Sequence, residues 1–144
     1  MLFMAVRQGT LLERDVKRLF DALGFQTQTN VRINGYEIDV LARNKRYTIA
    51  VECKQSEKTV RNIRNLIFEW SGKRAIIKVD RILIVIYSPV SPQHKSLAKK
   101  HGIVIWDYND FEKRMNLITI DKQKAIDLVQ KEFETKLEFG EGSK

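Results

Sequence analysis

Cysteine, histidine and proline are scarce in this 144-residue sequence, which has one Cys, two His and two Pro. A lone thiol, Cys53, excludes an internal disulfide, and His94 and His101 do not complete a ligand set at zinc-finger spacing. No apolar run approaches the roughly 18–20 residues of a membrane-spanning helix, so no membrane partner is expected. The opening residues 1–6 carry no basic leader and are too short for a signal peptide, so the expected location is the cytoplasm. No internal repeat, low-complexity stretch or linker interrupts the chain, and its length fits one domain of about 100–200 residues. Acidic residues are also few beside basic ones: 18 Asp and Glu against 26 Lys and Arg, for a net charge of +8.

What is present is an ordinary globular balance, 43% apolar and 31% charged, enough for a buried core. The positive excess is uneven. Residues 117–144 are net −1, whereas residues 43–81 hold eleven basic and four acidic side chains. A polyanionic partner is the natural inference, set against a basic surface that only keeps the protein soluble.

Hydrophobic spacing orders the elements. Leu12, Val16, Leu19, Phe20 and Leu23 mark one face of a first helix that starts at Gly9 or Thr10 and ends at Gly24. Residues 25–34, 36–42 and 47–54 read as a three-stranded meander, its second turn at Arg43-Asn44-Lys45-Arg46. From Thr59, the residues Val60, Ile63, Ile67 and Trp70 return to helical spacing, with Gly72 as an end or kink. The unbroken run 82–87 predicts a central strand buried on both faces. Ser91-Pro92 caps a helix that Gly102 stops before a strand over 103–106. Asn109 with Glu112 predicts a capping box for a short helix, and Asp121 opens a last helix with Ile126, Val129, Phe133 and Leu137 on one stripe. The expected fold class is α/β: a mixed sheet flanked by helices, one domain over residues 1–139 and a frayed tail over 140–144.

Charge inside this pattern is where chemistry enters. Asp39 interrupts an apolar strand, and Glu52 and Lys54 interrupt another. If the hairpin turns near Lys45-Arg46, Asp39 falls opposite Glu52, while Lys54 shares the face of Glu52. Two facing carboxylates repel unless a cation lies between them, and a hard divalent ion such as Mg²⁺ suits an Asp/Glu pair that leaves room for water and phosphate. Lys54 can then orient water or offset charge on a phosphodiester. The plain alternative is a salt bridge of Lys54 with Asp39 or Glu52.

Asp39 followed by Glu52-Cys53-Lys54, in a helix–three strands–helix–strand frame, resembles the PD-(D/E)xK nuclease superfamily. Within it, Mrr-like restriction endonucleases and archaeal Holliday-junction resolvases are the most similar. Residues of about 7–115 carry the resemblance, including Gly9–Arg14, Gly35–Val40, Val51–Lys54 and His101–Asp107. The resemblance implies a restriction-endonuclease-like fold and metal-dependent cleavage of DNA, with Asp39 and Glu52 as metal ligands and Lys54 as catalytic lysine. Glu13 on the first helix is implied as an auxiliary ligand, and Mg²⁺, with Mn²⁺ as substitute, as the cofactor; no organic cofactor is expected. Ile38 stands where the naming Pro would be, Glu37 where Mrr-like proteins usually have Gly, and Glu52 where they often have Gln.

The remaining candidates keep two readings. Glu13 lies at the margin of its helix's apolar stripe, as a cleft ligand or as a surface partner of Lys17. Glu37 is an extra ligand or a partner of Arg32 or Lys45. Gln55 touches substrate or ends the ladder. Cys53 points into the core, with its backbone carbonyl free to serve a metal; Trp70 and Trp106 read as core. Arg43, Lys45 and Arg46 are expected to crown the hairpin next to the site, with Lys58, Arg61 and Arg64 beyond the catalytic strand, so that DNA phosphates meet cations on both sides. The leading expectation is an endonuclease selective for DNA structure, acting as a homodimer. The alternative is a non-catalytic nucleic-acid-binding module of the same fold.

Overall fold

The computed structural model describes residues 8–55 and 62–134, with side chains from Leu12 onward. Helix α1 (Gln8–Ala22) leads into strands β1 (Gln26–Ile33), β2 (Tyr36–Arg43) and β3 (Thr48–Lys54). Helix α2 (Ile63–Ile77), strand β4 (Arg81–Ile86), helix α3 (Pro92–Lys100) and strand β5 (Ile103–Asp107) follow, and helices α4 (Tyr108–Ile120) and α5 (Lys122–Glu134) end the described chain. The five strands form one sheet in chain order. β1, β2 and β3 pair antiparallel, as the meander requires, and β3, β4 and β5 pair parallel through the crossovers of α2 and α3. The fold is thus α/β, a mixed sheet flanked by helices, as the sequence pattern predicts.

Burial explains the layers. Ile82 to Ile86 are fully buried, because β4 has a strand on each side and helices on each face. On one face Val40, Val51, Leu83 and Val85 pack with Leu12, Val16 and Phe20 of α1, Phe111 of α4, and Val129 and Phe133 of α5. On the other, Leu41, Ala50, Ile82 and Ile84 pack with Ile67 and Trp70 of α2 and Ala98 of α3. Both tryptophans are core, as their spacing predicts. No helix among the described residues is long and apolar enough to cross a membrane.

Turns and caps refine the expected boundaries. Asn34 and Gly35 both have positive φ in the two-residue turn between β1 and β2, a geometry that suits the twist of a tight hairpin. Gly24, also at positive φ, ends α1 as predicted. Gly72 neither ends nor breaks α2, whose ladder continues to Ile77 and stops at Lys78 in the left-handed conformation. The described start of α2 is capped by Asn62; Thr59, Val60, Lys58 and Arg61 lie outside the described residues. Ser91 and Pro92 open α3 as expected. The capping box of α4 is formed by Asp107 and Asp110, not Asn109 and Glu112, and the helix is 13 residues long rather than short. The correction follows from β5, which delivers Asp107 in an extended conformation at the point where the chain turns into the helix. Asp121 caps α5 through the Lys124 N–H, 3.2 Å away, and Ala125, Val129 and Phe133 are buried. Leu137 and the tail lie outside the described residues.

One polar cluster fastens α5 to the rest. Glu132 accepts the Trp106 indole N–H at 3.0 Å and both Nη2 and Nε of Arg114, whose guanidinium lies 4.6 Å from the Trp106 ring centre. Removing the carboxylate leaves the buried indole donor without its acceptor and the guanidinium with only the Asp110 carbonyl, 2.8 Å from Nη1. Glu132→Ala should therefore lower unfolding free energy by about 1–3 kcal/mol, read as a reduced midpoint in urea at unchanged slope.

Candidate active site

The β2–β3 ladder runs from Arg43↔Thr48 to Val40↔Val51. One step further lies Asp39 beside Glu52, the neighbours expected from the hairpin turn. Here the strands part, and the Asp39 carboxylate takes the place of a backbone acceptor: its Oδ2 receives the Cys53 N–H at 2.8 Å. β2 is irregular at the same point. Its pairing with β1 skips Asn30 and Asp39, Asn30 has φ of 53°, and Ile38 and Val40, two residues apart, join opposite core layers. Period-two alternation would have put both on one face. The irregularity sets Asp39 just past the end of the β2–β3 ladder, within reach of groups from either side.

Those groups are acidic. Glu13 from α1 is pushed up to about 7, first by burial, then by the Asp39 charge, by a hydrogen bond shared with Asp39 and by Glu37. Glu52 is also raised to about 7, by burial and then by Asp39, against the opposing pull of Lys54. The Lys54 ammonium lies 3.1 Å from Glu52 Oε2. Cys53 faces the α1-side core as expected; burial pushes its thiol well up, with Asp39, Glu13 and Glu52 adding to the effect, so it is no nucleophile. Asp39 is thus the shared neighbour of Glu13 and Glu52, and one lysine charge is set against them.

The bland partners are mostly absent. Lys17 bonds Asp21 at 2.7 Å rather than Glu13. Glu37 stands across the ladder from Arg32, is exposed, and contributes charge to Glu13. The Glu52–Lys54 salt bridge is present, and both groups sit in the carboxylate cluster. Gln55 follows directly, and its buried Oε1 has no hydrogen-bond partner among the described residues. Such an orphaned acceptor calls for a ligand or a water.

A hard divalent cation fits this donor set. Mutual repulsion among the carboxylates and the unpaired Gln55 oxygen both ask for positive charge or hydrogen-bond donors. Among the described residues no three His, Cys, Asp or Glu side chains form a ready-made metal cage. Asp39 and Glu52 would supply two carboxylates, leaving room for water and phosphate oxygens, which is the habit of Mg²⁺.

The basic residues divide between two ends of the sheet. Arg43 ends β2 four residues, or roughly 13 Å along the strand, from Asp39, and Lys45 and Arg46 lie beyond it in the turn, so the expectation that they lie next to the carboxylates is corrected. Arg46 is paired with Glu134 of α5, and Arg43 and Lys45 are exposed. Arg64, in the first turn of α2, is exposed near the N-terminus of α3, against Pro92, His94 and Lys100. Helices α2, α3 and α4 all begin beyond the carboxyl ends of parallel strands, and α1 begins above Asp39. The starts of α2 and α3 thus lie at the same end of the sheet as the carboxylates, whereas the start of α4 is already capped by the Asp107 and Asp110 carboxylates.

The carboxylate cluster carries a pH signature. Without divalent ions, the raised proton affinity of Glu13 and Glu52 adds stability that is full below their unfolded value of 4.5 and is lost as pH rises through about 7. Asp39→Asn keeps an oxygen for the Cys53 N–H and removes the repelling charge. In chelator, the melting temperature of the wild type should fall between pH 5 and 8, whereas the variant should fall less and melt a few degrees higher at pH 8. Parallel melting curves for the two proteins would contradict this origin.

The family model for restriction endonuclease, Mrr catalytic type, matches residues 7–115. No curated protein matches the chain. Among solved structures, the fold is similar to the protein of unknown function AF1548, at 24% identity and a TM-score of 0.57 over 67% of this chain and 56% of that one. It is also similar to protein VC1899 from Vibrio cholerae, at 20% identity and a TM-score of 0.58 over 82% of this chain and 33% of that one. The chain thus spans about half the length of the first and a third of the second. At these identities the likeness shows the fold alone. The sequence match covers most of the chain, and on that ground the chain belongs to the restriction endonuclease family, of PD-(D/E)xK type.

Proposed function

We propose that this chain is a metal-dependent DNA endonuclease that hydrolyses phosphodiester bonds at Asp39, Glu52 and Lys54. The observation that carries the reading is Asp39 lying between Glu13 and Glu52, with the Lys54 ammonium 3.1 Å from Glu52. Mg²⁺, with Mn²⁺ as substitute, would be held by Asp39 and Glu52, with Glu13 and the Cys53 carbonyl as further oxygens, and would supply Lewis-acid activation of water and phosphate. Lys54, its side chain about a quarter exposed, offers a positive charge to a phosphate oxygen as negative charge develops there. Glu52 holds that ammonium in place. Gln55 has an acceptor to spare for the substrate or its water.

Arg64, exposed in the first turn of α2, would bind a DNA phosphate near the cut, and Lys58 and Arg61 are proposed as further phosphate contacts. Arg43, Lys45 and Arg46 would meet the backbone farther along the duplex, by roughly 13 Å on the strand spacing. Resemblance to junction resolvases favours structure-selective cutting, and one site per chain favours a twofold homodimer for cutting two strands.

The test is incubation of the pure protein and Mg²⁺ with labelled duplex, flap and four-way-junction DNA. Asp39→Asn and Lys54→Ala should each lower cleavage by about 10²–10³-fold or more while binding stays within a few-fold, because affinity comes mainly from phosphate contacts elsewhere. The wild type should place paired nicks in opposing strands of the junction and cut plain duplex slowly. Variants that cut at the wild-type rate would remove the site assignment, and efficient duplex cutting would remove junction selectivity.

A further inference from the structure

Beyond Lys54 the sheet ends in an aromatic pair. Lys54 pairs with Ile86 in the β3–β4 ladder, and Ile86 pairs with Asp107 in the β4–β5 ladder. The next residues along β4 and β5 are Tyr87 and Tyr108, whose ring centres are 4.4 Å apart at 57°. The Tyr87 N–H donates to the Lys54 carbonyl at 2.9 Å, so the backbone of the pair adjoins that of the proposed catalytic lysine at the end of the sheet. Tyr108 is braced from behind by Phe111, 6.0 Å away between ring centres, and by the core under α1. Tyr87 is 39% exposed. Among the described residues, the other strongly exposed aromatic, Phe68, is flanked by His101 and Arg64, whereas the ring partner of Tyr87 there is Tyr108.

Two tyrosines held together by parallel strands are a rigid surface with few torsions to freeze, and every nucleobase has an apolar face that can stack on it. The charges around it choose between base and phosphate. Asp15 of α1 and Glu112 of α4 act on the Tyr108 hydroxyl, raising it after burial and Tyr87, and such carboxylates repel a phosphate while accepting hydrogen bonds from base amino groups. Phosphates are served instead by the helix ends and Arg64.

We infer that Tyr87 and Tyr108 form a stacking platform for an unpaired nucleobase beside the scissile phosphate, so that the site selects DNA with unpaired nucleotides over continuous duplex. The inference rests on the endonuclease reading and deepens it by naming unpaired nucleotides, as in gaps and flaps, as a feature the site selects. A base within a duplex is already stacked on its neighbours, so only an unpaired one gains from the platform.

The experiment is equilibrium binding, in chelator so that no strand is cut, of a labelled duplex and the same duplex with a three-nucleotide gap carrying 2-aminopurine. The wild type should bind the gapped DNA about tenfold more tightly, the scale of one stacked base, and should quench the 2-aminopurine. Tyr87→Ala should abolish that preference and the quenching while leaving duplex affinity within twofold, and Tyr87→Phe should keep both. Tyr108→Leu should weaken the preference; if it unfolds, the Tyr87 pair of variants decides alone. Equal preference and quenching in wild type and Tyr87→Ala would overturn the platform. A wild type that cuts DNA with Mg²⁺ yet shows no gap preference overturns this inference alone; one that neither binds nor cuts any DNA overturns the endonuclease reading with it.

Discussion

The bond from the Cys53 N–H to Asp39 Oδ2, 2.8 Å long, lies at the point where β2 leaves β3. A regular antiparallel pair would have satisfied that N–H with a backbone carbonyl. Because a side chain does so here, the strands can part while the amide stays paired, and a carboxylate is fixed at the opening. The other features of the site depend on it. Burial first and then Asp39, held in this position, raise Glu52 on one side and Glu13 on the other, and the Lys54 ammonium pairs with Glu52. Like charges are kept together because the ladders of β2 and β3 and the buried face of α1 are stable enough to enforce it.

The same architecture supplies the partner's electrostatics. Three parallel strands deliver three helix starts to one end of the sheet, and α1 also begins there, on the face opposite α2 and α3. Binding outside the carboxyl ends of strands is the general habit of open α/β sheets. In this chain the antiparallel hairpin of β2 and β3 borders those strands, so a carboxylate from the meander meets a carboxylate and a lysine from the first parallel strand. The net positive charge of the chain is thus compatible with a locally acidic centre: the acid is central and the cations lie around it.

Much of this is legible in the sequence because the signals are local. Alternation in residues 36–54, the unbroken run in β4 and the helical stripe of α1 each follow from which faces are covered, and they lead to an α/β sheet and to Asp39, Glu52 and Lys54 as misplaced charges. Signals set by tertiary context are harder to read. Asp107, Asn109 and Asp110 are all competent caps, and only the exit of β5 selects Asp107. Gly72 costs the helix some stability and yet does not end it, because Trp70 and Ile77 on either side are buried. The distance of Arg43, Lys45 and Arg46 from the site was open to simple arithmetic, since a residue at the turn of a hairpin cannot also lie beside one four positions back. Tyr87 and Tyr108 are 21 positions apart in the chain and become neighbours only through the β4–β5 register.

The most direct measurement is anomalous diffraction from crystals of the protein soaked in millimolar Mn²⁺ at pH 8. A carboxylate cluster short of positive charge predicts a manganese peak between the Asp39 and Glu52 carboxylates, at about 2.0–2.2 Å from an oxygen of each, as small hard divalent ions require. The absence of manganese there, or its binding only at other surface carboxylates, would contradict the assignment of this cluster as a metal centre.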